Sequence, residues 1–305
     1  MKKVSIIIVT WNGMKWIEKC LSSIFQSDYP STVYLVDNCS TDSTPDFIEK
    51  NFPEVRLTRS DKNLGFGKAN NIALNQAYND GYDYFFLLNQ DAYLQSNTIS
   101  ELLSVVEGGD YAIVSPIHLN GNAKDVDPYF RDYVLAKSKD YLRVSLLGGK
   151  QTLFESEFIP AAAWFLPRTT VSDIGGFDSL FYHYGEDDNY CQRCLYHHRK
   201  IVFTTKAFVQ HDRFATVGNK TMYNHQLFYR HLVQDAANVL YSNGFIVQKI
   251  GRQFYDELGL FFMYLFTGRW KAMHNFVGDY CKLLMNISKI RHSRKINKQL
   301  HGIYV

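Results

Sequence analysis

The chain has 305 residues, of which 46% are hydrophobic, 21% charged and 15% aromatic, with a formal net charge of +3. That composition excludes a disordered chain, and five cysteines without regular spacing exclude a disulfide framework and predict free thiols in a reducing compartment. The charge is uneven: residues 245–305 carry ten Lys and Arg against Asp256, Glu257 and Asp279, which speaks against a nucleic-acid partner and for a basic, aromatic tail suited to an anionic membrane surface.

In chain order, Met-Lys-Lys leads straight into an apolar run at residues 4–9, too short for a signal peptide and read as a first strand. Residues 16–25 place Ile17, Leu21 and Ile24 on one helical face, 33–36 form a strand, and 43–51 a helix capped near Thr41 or Asp42. A strand at 55–58, a helix at about 67–78 and a fully apolar strand at 84–88 continue the alternation. Such β-α repeats predict an α/β fold with a parallel, doubly wound sheet. Residues 121–157 are polar and charged and read as a loop or flap; 158–167 resume as a strand, 175–178 as a tight turn, 187–198 as a helix and 201–204 as a strand. After about residue 216 the chain reads as helical. The longest apolar stretch, 258–268, falls short of the roughly 20 residues that cross a bilayer.

The ends of the first two strands carry Thr10 and Asn12, then Asp37 and Asn38, which open into the crevice where such sheets bind ligands. Asp37 suits a ring N–H or a ribose hydroxyl, or else an Asx turn. The stretch NLGFGKANN brings Asn63, Gly65 and Asn70. It is not a dinucleotide fingerprint, because Asn70 stands where the third glycine belongs, and it lacks the Gly-Lys-Ser/Thr of a P-loop. After the buried strand, Asn89-Gln90-Asp91 delivers one carboxylate suited to a hard divalent cation on a diphosphate, or to a turn. Glu186, Asp187 and Asp188 form the densest acidic cluster, a source of a raised-pKa base or simply a charged helix start. His211 is a candidate metal or phosphate ligand. Cys191 and Cys194 with His197 and His198 look like a zinc half-site, but no second pair supports it and the segment reads as core.

Taken in order, SIIIVTWNG, YLVDNCSTDST, NLGFGKANN, LLNQDA, GGFDSLFYHYGEDDNYCQR and VQHD resemble the GT-A-fold family 2 glycosyltransferases, especially their bacterial rhamnosyltransferase-like branch. The resemblance implies a catalytic domain over 1–216, with a nucleotide-binding half at about 1–115 and an acceptor half at about 116–216, followed by a helical, basic extension over 217–305. It implies inverting transfer of a sugar from a nucleotide-diphosphate donor, with Mg²⁺ or Mn²⁺, to a glycan or lipid-linked acceptor in cell-surface polysaccharide synthesis. Asp37 matches the acid that contacts the base, and the donor set it implies includes Thr10, Asn12, Asn38, Asn63, Gly65, Asn70 and Asn89. Asp91 matches the last acid of the metal motif, whose first acid is Asn89 here, and His211 matches a histidine near the metal. Glu186 and Asp187 match the Glu-Asp pair, with Asp187 as base, while Asn189 stands where the branch has a further acid. Trp164, Gly176, Asp178 and Asp188 fall on the acceptor side. The expected location is cytoplasmic, at the inner face of the membrane if the tail docks there.

In that tail Val277, Tyr280, Cys281, Leu284, Ile287 and Ile290 recur at helical spacing beside Lys282, Lys289, Arg291, Arg294 and Lys295, preceded by Trp270 and Phe276. This predicts an interfacial helix, or one packed on the catalytic domain. Two other readings stand beside the enzyme. Asn89 and Asn189 keep open a non-catalytic nucleotide-sugar or glycan binder, whereas an NAD-dependent oxidoreductase is disfavoured because TWNGMK lacks the glycine fingerprint. Donor sugar, base, linkage and oligomeric state stay open.

Overall fold

The structure, a computed structural model, describes residues 1–212 and 225–301. Within them, 1–212 with 300 and 301 form one unit and 225–299 a second. The first unit runs β1 (Val4–Thr10), α1 (Ile17–Phe25), β2 (Ser31–Asp37), α2 (Thr44–Asn51), β3 (Arg56–Arg59), α3 (Phe66–Asn79), β4 (Tyr84–Leu88), β5 (Ala92–Leu94), α4 (Thr98–Glu107), β6 (Tyr111–Asn120), α5 (Pro128–Tyr133), α6 (Lys139–Leu147), β7 (Leu153–Glu155), β8 (Ala163–Pro167), α7 (Arg168–Ile174), α8 (Glu186–Tyr196) and β9 (Lys200–His211).

The sheet is ordered β3-β2-β1-β4-β8-β6-β9-β5, with β7 also on β9. Its first four strands are parallel, as the β-α repeats require. β8 then inserts antiparallel to β4 and joins this half to the parallel pair β6–β9. Side chains alternate between two buried layers. Ile7, Val36, Phe85 and Leu87 face α3 and α8, while Ile6, Ile8, Leu35, Phe86 and Leu88 face α1 and α4. Burial on both faces explains why residues 84–88 are apolar without alternation.

Three expectations needed correction. Residues 121–157 are not one loop. Asp127 caps α5 by accepting from the Phe130 N–H at 2.9 Å, a single turn of tighter helix spans 135–137, Ser138 caps α6, and β7 pairs with β9. α6 buries no residue fully and packs on the core only through Tyr141 and Val144, a weak signal in a charged segment. The strand expected from 158 starts only at Ala163, and the strand expected at 201–204 runs to His211, its register against β6 shifting beyond Pro116.

The second unit holds α9 (His225–Ala237), α10 (Asn243–Phe266), α11 (Trp270–Met285) and α12 (Ile287–Asn297), with α9 touching the other three. Phe276 is buried among Phe228, Phe254, Phe261 and Tyr280, with ring centroids 5.3–6.2 Å apart. Buried Arg294 of α12 donates to the carbonyls of Asn238 and Tyr241, tying α12 to the segment after α9. The apolar period expected to lie on a membrane thus splits. Ile290 is buried and Ile287 half-buried, whereas Val277, Cys281 and Leu284 are exposed, and the helix breaks at Asn286. No helix among the described residues is long and apolar enough to cross a membrane.

Candidate active site

The site begins where β1 and β2 end side by side, with Thr10 paired to Asp37. Gln90, which nothing in the sequence singled out, accepts from Thr10 Oγ1 at 2.6 Å and from the Trp11 N–H at 3.0 Å, and returns a bond to the Trp11 carbonyl. Asn12, at φ 48°, donates its N–H to Ser40 Oγ and accepts from the Thr41 N–H at 2.8 Å. The polar groups of Thr10 and Asn12 thus join the strand ends. Asp37 differs. Its side chain is buried, Oδ2 accepts from the Ser40 N–H at 3.1 Å, and Oδ1 has no hydrogen-bond partner. A buried carboxylate oxygen left in this state is costly unless a ligand donor reaches it.

The loop before α3 is held from both sides. Asn38 accepts from the Leu64 N–H at 2.7 Å and donates to Asn63 Oδ1 and the Gly65 carbonyl. Asn63 Oδ1 also receives the Gly65 N–H and the Tyr182 hydroxyl. Gly65 sits at φ 79°, and a Cβ there would lie 2.0 Å from the Tyr182 carbonyl oxygen, so only glycine fits. Asn70 does not face a ligand: it is buried, and its amide donates to the Phe66 carbonyl within α3. Its neighbour Asn71, missed in the sequence, exchanges two bonds with the Phe177 backbone at 2.7 and 2.8 Å.

α8 starts directly at the acids, after Tyr184 and Gly185 with positive φ. Asp187 accepts from the Asp188 N–H at 2.9 Å and is also bonded by the backbone of Ala161. Burial nevertheless pushes its carboxyl above the ordinary range. Asp188 is pushed up to about 7 by burial and then by the Asp187 charge, against the pull of Lys137. Desolvation therefore outweighs the helix dipole, which alone would favour both charges. Glu186 and Asn189 are buried, the latter with neither side-chain polar atom hydrogen-bonded.

On the expected acceptor side the structure assigns supporting roles. Trp164 is fully buried, donates to the Ile159 carbonyl at 3.2 Å and stacks on Phe177, so it is core and does not line a pocket. Asp178 is buried and closes a turn by accepting from the Leu180 N–H. The Gly176 carbonyl receives a bond from Arg193, which also donates to the Ile174 carbonyl at 2.8 Å. This buried arginine, lost among the charges of α8, fixes the glycine turn.

The metal candidates meet through strand pairing, since Ala92 lies opposite His211. His211 Nε2 stands 3.5 Å from Asp91 Oδ1, and Nδ1 faces Asp127 Oδ2 at 3.7 Å. Asp127 was hidden in the supposed loop, although Asp-Pro ahead of an aromatic run is a helix-start signal. Among the described residues no three His, Cys, Asp or Glu gather to hold an ion by themselves. Two donors fit a divalent cation that takes its other ligands from a diphosphate and water, not a four-ligand zinc. Cys191 and Cys194 are buried thiols packed in the core cluster, their pKa pushed up by burial, as the core reading of this segment expects.

The two acid-bearing loops share one support. The Asn89 N–H donates to the Ala162 carbonyl at 3.0 Å, and Asp187 is bonded by the adjacent Ala161. A separate cavity of about 510 Å³ in the helical unit is lined by α9 and α10 residues, among them Asp235, Lys249 and Glu257, none of which belongs to this set.

The family described as "Glycosyl transferase family 2" matches residues 5–162. The poly(ribitol-phosphate) beta-N-acetylglucosaminyltransferase TarS of Staphylococcus aureus is 26% identical over 231 residues, 73% of this chain and 35% of its own length, so this chain spans about a third of that relative. An N-acetylglucosaminyl-diphospho-decaprenol L-rhamnosyltransferase of Mycobacterium tuberculosis is 36% identical over 72 residues, 23% of this chain and 24% of that protein. The crystal structure of S. aureus TarS 1-349 in complex with UDP-GlcNAc superimposes with a TM-score of 0.58 at 18% identity, over 97% of this chain and 89% of that one, a likeness of fold.

Proposed function

The chain belongs to glycosyl transferase family 2, and from that premise we propose that it moves a sugar from a nucleotide-diphosphate donor to a hydroxyl of a glycan or lipid-linked acceptor in cell-wall polysaccharide synthesis. One observation carries the reading: the Ala161-Ala162 segment touches both the Asn89–Asp91 loop and the Asp187 carboxylate, so leaving-group and base ends of a transfer site share one rigid support.

Asp187 is the base. It takes the proton of the acceptor hydroxyl as that oxygen bonds to the anomeric carbon from the face opposite the diphosphate, which leaves with the electron pair of the broken C–O bond. A single displacement inverts the configuration. The upward shift of Asp187 supports this role, because a desolvated carboxylate holds the incoming proton better than a solvated one. Asp188 sits beside it as a second acid near the acceptor. The buried, unpartnered Oδ1 of Asp37 supports a contact with the base or ribose of the donor. Asp91 and His211 are the residues that would hold Mg²⁺ or Mn²⁺, which when bound supplies positive charge next to a leaving diphosphate. The TarS complex makes UDP-GlcNAc the first donor to try.

The deciding experiment offers UDP-, dTDP- and GDP-sugars with Mg²⁺ or Mn²⁺ and follows nucleotide release in wild type and Asp187→Ala. Release by wild type, lost in the variant while nucleotide binding survives, is expected. Nucleotide binding without turnover in either protein would instead favour a non-catalytic binder, the alternative that Asn89 and Asn189 suggest.

A further inference from the structure

We propose that the turn between α10 and α11 is a docking tip for an anionic lipid bilayer. Phe266 is 84% exposed, Trp270 60%, Phe262 47% and Met263 42%, four large apolar side chains within nine residues. They are not a failed core, because the helices already bury Tyr264, Phe276 and Leu283 between them and their neighbours. Gly268, at φ 65°, lets α10 turn into α11 within three residues, which keeps these apolar groups close together in the chain. Exposed patches of this kind mark interaction sites.

Charge selects the occupant. Residues 258–278 contain no Asp or Glu, and exposed Arg269 and Lys271 flank Trp270. The one acid beyond them, Asp279, is buried with Lys282 3.9 Å away. A second copy of the chain would meet this basic collar with another like it, whereas anionic headgroups complement it, and tryptophan and arginine are at home at that depth. The surface also differs from the helical stripe read from the sequence, which lies further along α11 and α12, from Val277 to Ile290. Docking needs no spanning helix, only insertion of a tip.

The test floats the full chain with vesicles of phosphatidylcholine plus phosphatidylglycerol and with phosphatidylcholine alone. Wild type rises with the anionic vesicles only. Phe266→Ser with Trp270→Ser stays at the bottom while its thermal melt is unchanged. Arg269→Glu with Lys271→Glu leaves the apolar packing intact, carries the test should the serine variant lose its fold, and partitions at least about tenfold more weakly. The proposal is overturned if wild type ignores anionic vesicles, if either variant floats as wild type does, or if size-exclusion shows an oligomer that the serine variant dissolves, which would make the tip a self-association face.

Discussion

His211 and Asp91 meet because β9 runs antiparallel to β5, which sets His211 opposite Ala92 and leaves Nε2 3.5 Å from Asp91 Oδ1. With two protein donors, binding of a divalent ion should depend on nucleotide. Calorimetry should therefore detect Mn²⁺ binding in the presence of UDP and little without it, and Asp91→Asn should remove the UDP-dependent part. Asp127→Asn keeps the helix cap but withdraws the charge facing His211 Nδ1, and should lower metal affinity by roughly 10–100-fold.

The Asp187–Asp188 pair should give opposite pH trends for activity and stability. Asp188 keeps its proton up to about 7 in the folded protein, against 3.8 ordinarily. From about 4 to about 7 the folded chain then binds a proton that the unfolded chain has released, so stability falls as pH rises through this window and levels off above it. A base works deprotonated, so kcat/KM rises with pH as Asp187, its carboxyl raised by burial, gives up its proton. Asp188→Asn removes the group that holds this proton, so urea denaturation should show a smaller loss of stability between pH 4 and 7, while the acid limb of kcat/KM, which Asp187 sets, should remain.

Asp37 offers a separation of binding from folding. Its Oδ1 is buried without a donor, so replacing the carboxylate forgoes only the Ser40 bond in the free protein. Asp37→Asn should leave the melting temperature nearly unchanged, yet weaken UDP binding by about 1–3 kcal/mol as measured by calorimetry.

Gly65→Ala should destabilise by about 1–3 kcal/mol or more, because it combines a positive φ with a Cβ placed against the Tyr182 carbonyl. Gly81→Ala, with positive φ but open space around it, isolates the backbone contribution. A chemical melt of both variants in which Gly65→Ala cost no more than Gly81→Ala would refute the close contact.

Arg193→Met should cost about 1–3 kcal/mol for each carbonyl it orphans, those of Ile174 and Gly176. Arg193→Lys should rescue little, since an ammonium lacks the planar fork that serves both acceptors. Loss of activity disproportionate to loss of stability would show that the glycine turn positions the acids of α8.

The sequence by itself determined the β-α alternation, the buried central strand and the acids at its mouth, because apolar period and the polar stops that end it are local properties. Asp91, Asp187 and Asp37 stood out as candidates because a carboxylate after an apolar strand or at a helix start is conspicuous. Gln90, Asn71, Arg193 and Asp127 were not, since each acts through a partner far along the chain, and nothing near them in sequence reveals that partner. Asn70 and Trp164 show the converse: both sit in suggestive motifs, yet one spends its amide inside α3 and the other lies wholly within the core. Only tertiary packing decided these cases. The insertion of β8 against β4, the pairing of β5 with β9 and the folding of α10 on α11 fix which polar atoms are consumed in holding the scaffold and which remain to meet a ligand.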